Sequence, residues 1–136
     1  MLYPSRHEFI HLCRQGNLVP VYRHVMADLL TPVLAFARLM PSDYGFLLES
    51  VTGGENIGRY SFLGIEPDIV FRSQGQRTEV GPPRGEKRLL PATPHTLDLL
   101  EHFLRDMRAV SLPGLPRFSG GAVGYFSYDV VRQIEH

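Results

Sequence analysis

The sequence predicts an α+β fold with a largely antiparallel sheet and about three packed helices. Three observations carry that prediction. Short apolar runs crowd together in the middle of the chain, separated by Gly, Asn and Pro. Two Thr-Pro pairs, each followed by apolar residues at helical spacing, mark helix starts on either side of them. The order helix, strand, helix, several strands, helix, strand lacks the regular alternation that parallel crossover units require.

The elements follow in turn. Ser5 with Glu8 three residues on forms a capping box, and Phe9, Ile10, Leu12 and Cys13 supply an inward face before Gln15-Gly16-Asn17 stops a short first helix. Residues 18–26, LVPVYRHVM, are rich in β-formers, with Pro20 confined to a strand start or an edge. Thr31 and Pro32 open a second helix. YGFLLESV, RYSFLGI and DIVFRS read as three neighbouring strands and QRTEV as a fourth. Residues 81–94 hold four prolines and predict an exposed loop. Thr93 and Pro94 then precede Leu97, Leu100, Leu104 and Met107, widened by Leu99 and Phe103, which predicts a third helix of about four turns. GAVGYFSYDVV reads as a last strand.

Bulk composition narrows the function classes. A chain of 136 residues is the size of one modest domain, and residues 1–136 are expected to form a single one. Lysine plus arginine balance aspartate plus glutamate at 14 each, so no basic field points to a nucleic-acid partner. The one cysteine, Cys13, cannot form an internal disulfide, and its apolar neighbours predict a buried thiol in a reducing, cytoplasmic setting. There is neither a signal-peptide pattern nor an apolar run long enough for a membrane span.

Several motifs invite a chemical reading. His7-Glu8-x-x-His11 has the spacing by which a helix presents two zinc ligands and a general base. The extended form of that motif requires glycine at 14 and histidine at 17, where this chain has Arg14 and Asn17, and Glu8 is already committed to the helix start. No metal and no catalytic residue is therefore assigned. TGGENIG and SGGAVG resemble phosphate loops, but Glu55 and Ser119 stand where glycine is needed, so tight turns or close backbone packing explain them better. Ser50, Ser61 and Ser127 lack a nucleophile elbow. More informative is FLLESVTGGENIGRYSFLG, in which Glu49 and Ser50 end one strand and Arg59 opens the next. A carboxylate, a hydroxyl and a guanidinium could converge there on a small zwitterion, or form an ordinary strand-end ion pair.

At these residues the chain resembles the N-terminal region of the anthranilate synthase component I family of chorismate-utilising enzymes. The resemblance rests on Pro20 to Phe36, Phe46 to Pro67 and Gly120 to His136. It departs from the family at His24, where glutamate is frequent, and at Ser127, where glycine is.

The resemblance implies a partial domain of a larger two-layer enzyme fold. It also implies a feedback pocket for tryptophan in which Glu49 and Ser50 are contacts, Leu48 packs on the indole and Arg59 is a further candidate. The family's Mg²⁺-dependent conversion of chorismate to anthranilate resides in a C-terminal chorismate-binding domain absent from these residues, so the chain alone is expected to be inactive. The implied partners are that domain, a glutamine amidotransferase subunit and tryptophan, with self-association through faces left uncovered. Two alternatives stay open: the N-terminal region of aminodeoxychorismate synthase in the folate pathway, and a free-standing amino-acid-binding or interaction module.

Overall fold

A computed structural model describes residues 1–40, 43–49 and 60–135. It bears out the α+β class: the described residues form three α-helices, one 3₁₀ helix and two small antiparallel sheets. The chain divides into two compact units, one of Met1–Met26 with Pro94–His136 and one of Ala27–Thr93.

The first unit begins with α1, Arg6–Leu12, started by the capping box expected from Ser5 and Glu8. Only Phe9 and Leu12 of its expected inward face are half-buried, while Ile10 is 53% exposed and Cys13 is exposed rather than buried. A seven-residue helix turns one narrow stripe inward, and Ile10 and Cys13 fall outside it. The strand expected in residues 18–26 is absent. Leu18 and Tyr22 make only isolated bridges, to Ala109 and Tyr3, and Val21, Val25 and Met26 are exposed. Pro20, the third residue of that run, removes a ladder donor.

What binds the two sequence-distant parts of this unit is a clasp at Gly16 to Leu18. The Asn17 side chain donates to the Asp106 carbonyl at 2.7 Å and accepts from the Arg108 N–H at 2.7 Å. The backbone N–H groups of Asn17 and Leu18 both donate to the Arg108 carbonyl, and Val110 N–H returns to the Leu18 carbonyl at 2.8 Å. Gly16 is buried against this segment, and a Cβ there would collide with the Arg108 carbonyl oxygen and lie 2.9 Å from Val110 Cγ2.

The third helix, α3, spans Thr96–Arg105, shorter than the four turns expected. Leu97, Leu99, Leu100, Phe103 and Leu104 are all half-buried, while Asp98, Glu101, His102 and Arg105 face solvent. Its start differs from the Thr93-Pro94 signal: His95 is the cap, and its side chain does not cap the helix by a hydrogen bond. Instead Gln133 Oε1 accepts from both the N–H and the hydroxyl of Thr96 at 3.0 Å each. Gln133 ends the 3₁₀ helix Tyr128–Gln133, which stands where part of the last strand was expected. Residues 122–127 preceding it have no regular structure. No described strand pairs with this segment, so it satisfies part of its backbone locally, through bonds such as Val130 N–H to Ser127 carbonyl.

In the second unit Thr31 caps α2, Pro32–Leu39, accepting from Leu34 N–H at 3.2 Å, with Pro32 in the first turn as expected. Strands β1, Gly45–Leu48, and β2, Phe62–Ile65, pair antiparallel. Gly45 is needed because Met40 Sδ and Phe36 of α2 lie 2.6 and 3.2 Å from where its Cβ would be. Gly64, opposite Phe46, makes room for that ring. Strands β3, Val70–Gln74, and β4, Arg77–Gly81, form a hairpin whose turn places Gly75 at φ 60°. On its inner face Thr78 and Val80 are buried, and the Ser73 and Thr78 hydroxyls meet at 2.9 Å. The proline-rich segment is not wholly loop, since β5, Arg88–Leu89, pairs with β4 and Leu90 N–H bonds the Thr78 carbonyl.

Among the described residues Val80 and Val110 are the buried apolar side chains, while Tyr125 and Tyr128 are 93% and 90% exposed. With so thin a core, local devices carry unusual weight. Gly16→Ala is expected to lower unfolding stability by about 1–3 kcal/mol through overpacking, and Thr31→Ala by about 1 kcal/mol through loss of a cap. Urea titrations of the two variants check both.

Candidate functional site

Of the expected zwitterion site, Glu49 falls one residue beyond β1 rather than within its end. Register pairs Leu48 with Phe62, and directly opposite residues of an antiparallel pair share a face. Tyr60, two residues before Phe62, brings its ring to 6.0 Å from the Phe62 ring at a 37° tilt. Leu48 is 48% exposed and Tyr60 50% exposed, so the strand end presents a half-covered apolar surface. Glu49 follows directly and is exposed. Ser50 and Arg59 lie outside the described residues, as does TGGENIG. The structure thus sets Leu48 opposite Phe62, whose ring meets that of Tyr60, two aromatic residues that the sequence pattern did not single out. Strand register was the missing signal, because only the Leu48–Phe62 pairing tells which side chains share Leu48's face.

The zinc-like motif has a different role. Ser5 Oγ donates to Glu8 Oε2 at 2.6 Å, Ser5 N–H donates to the same oxygen at 2.8 Å, and Glu8 N–H donates back to Ser5 Oγ at 3.4 Å. Among the described residues no group of three or more His, Cys, Asp or Glu side chains could hold a metal. The Ser5 hydroxyl, then the Ser5 N–H, hold the Glu8 carboxyl below its ordinary value against an opposing desolvation, with the nearby His7 adding least.

A hollow of about 310 Å³ lies beside this helix, with Tyr3, Glu8, His11, Tyr22, Leu112 and Pro113 in its wall. Tyr3 and Tyr22 exchange backbone hydrogen bonds of 2.8 and 2.7 Å and stack their rings at 5.7 Å. His24 packs edge-on against both, at 5.5 Å from Tyr22 and 6.3 Å from Tyr3. The position that departs from the family pattern therefore joins an aromatic cluster. A second hollow, of about 270 Å³, lies on the β3–β4 hairpin among Arg72, Gln74, Arg77 and Glu79. An exposed Arg77–Glu79 contact of 3.5 Å crosses it, worth little in water. Neither hollow includes Leu48 or Glu49.

In SGGAVG, Gly121 has φ 132°, a conformation that favours glycine, while a Cβ at Gly120 or Gly124 would meet nothing within 4 Å. Close backbone packing is not the reason for those two glycines. Among the described residues no helix is long and apolar enough to cross a membrane.

Proteins named anthranilate synthase component 1 match the chain along its whole length. The protein from Synechocystis sp. is 43% identical over 136 residues, 99% of this chain and 26% of its own. That from Acetivibrio thermocellus is 38% identical over 100% of this chain and 27% of its own, and that from Pseudomonas aeruginosa 38% identical over 96% and 27%. The chain spans about a quarter of the length of these curated relatives. No family model matches it, and no solved structure matches it.

The Glu8 bonds set a pH dependence with a defined sign. A carboxyl whose folded value is depressed stabilises the fold above its unfolded value, and that contribution is lost as pH falls through the folded value. The helix cap of α1 should therefore loosen on acidification below the ordinary carboxylate range, and Ser5→Ala should return the Glu8 titration toward its ordinary value. Carboxyl-carbon NMR of Glu8, followed with the Ser5 and Glu8 amide signals, checks both.

Proposed function

The chain is a relative of anthranilate synthase component 1 along its whole length, and we propose that it serves as the regulatory and scaffolding N-terminal region of such a synthase. In this reading the conversion of chorismate to anthranilate, with its Mg²⁺, belongs to the part of the relatives that these residues do not cover. The names of the relatives support the anthranilate branch over the aminodeoxychorismate alternative.

The regulatory part of the proposal concerns tryptophan. Its single strongest support is the end of β1, where a half-exposed Leu48, opposite a Phe62 whose ring meets Tyr60, is followed at once by the exposed Glu49. An apolar surface next to an anion suits a ligand carrying an indole and an ammonium. Leu48 packs on the ring and Glu49 takes the ammonium. Ser50 adds a hydroxyl, and Arg59 pairs with the ligand carboxylate. So exposed a surface leaves one side of the ligand in water, and tight binding requires a further wall from the chorismate-binding domain. A glutamine amidotransferase subunit supplies ammonia to the assembled enzyme, and uncovered apolar faces of the isolated chain promote its self-association.

Calorimetry of tryptophan with this chain joined to the remainder of a synthase tests the pocket. Glu49→Ala is expected to weaken binding about 10- to 100-fold, the range for a lost charge-assisted hydrogen bond. Tryptophan binding that is tight and indifferent to both Glu49→Ala and Ser50→Ala would overturn the assignment. The chain alone, given chorismate and ammonia, is expected to produce no anthranilate fluorescence.

A further inference from the structure

The hollow beside α1 combines three kinds of wall. The stacked Tyr3 and Tyr22 rings supply π surface, and Leu112 and Pro113 supply apolar contact. Glu8 supplies a carboxylate that its capping bonds keep ionised, and both of those bonds fall on Oε2, while Oε1 receives none among the described residues. We propose that this hollow binds an organic cation, an ammonium or guanidinium head on a short aliphatic stem.

The choice of ligand follows from the walls. An anion would face both the Glu8 charge and the negative faces of the rings. A neutral apolar ligand would strip water from Glu8 and return no partner to it. A cation with an apolar stem meets the carboxylate and the rings at once, and its stem covers the apolar side. The volume, about 310 Å³, is at the small end of ligand sites and suits a single side chain or a small amine. Either a free amine or a lysine or arginine side chain of another protein presents this chemistry.

The test uses the full chain near neutral pH. NMR of the Tyr3 and Tyr22 ring signals is followed with n-butylammonium, N-butylguanidinium and n-butyrate. Saturable shifts with millimolar affinity are expected from the two cations and none from butyrate. Glu8→Gln, which preserves the capping box, should weaken cation binding about threefold. Tyr22→Leu should weaken it while Tyr22→Phe retains it. A lysine-containing peptide that binds more tightly than n-butylammonium identifies a partner's side chain as the natural ligand, and equal or weaker binding identifies a small amine. Ring signals that ignore both cations, or that respond alike to butyrate or in Glu8→Gln, would overturn the proposal.

Discussion

The first unit depends on one asparagine. Asn17 and Arg108 are separated by most of the chain, and the loop between them must be closed before either side gains anything. The Asn17 amide meets that cost by using both ends of its side chain, donating to the Asp106 carbonyl and accepting from the Arg108 N–H, while its own N–H donates to the Arg108 carbonyl. These bonds satisfy backbone groups where the chain leaves α3, a place where carbonyls lack helical partners. Glycine at 16 is the condition for this approach, since any side chain there would push the Arg108 carbonyl away. α1, the Tyr3–Tyr22 bridge and the hollow all sit on the segment that the clasp secures.

The second unit solves its closure differently. Its hairpin is local, built from a two-residue turn and a pair of hydroxyls across β3 and β4, and its helix is started by a threonine cap and a proline. Glycine takes the place of a side chain at Gly45 and Gly64, so that Met40, Phe36 and Phe46 can occupy the space. The β1–β2 pair is short, and two strands alone are marginal in water.

Legibility in the sequence tracked the range of the interaction. The capping box at Ser5, the Thr31-Pro32 start and the α3 stripe are set within a few residues, and each was readable from spacing. Features that need a distant partner were not. LVPVYRHVM and GAVGYFSYDVV have strand composition, yet without a neighbouring edge the first makes isolated bridges and the second ends in a 3₁₀ helix. Burial of Cys13 failed for the same reason, because composition gives a residue's preference but not the number of faces a short helix can cover. Of the expected tryptophan contacts, Leu48 and Glu49 could be placed at the end of β1. Tyr60 and Phe62 became relevant only through register.

One consequence of the Gln133–Thr96 contact concerns where this unit can be cut. A single amide oxygen near the end of the chain holds the opening turn of α3, 37 residues earlier. A shortened chain that stops before Gln133 would leave the Thr96 N–H without that acceptor, at a helix start that has no side-chain cap of its own. The last residues are thus part of the folding instructions for α3, and the smallest self-sufficient version of this unit extends at least to Gln133.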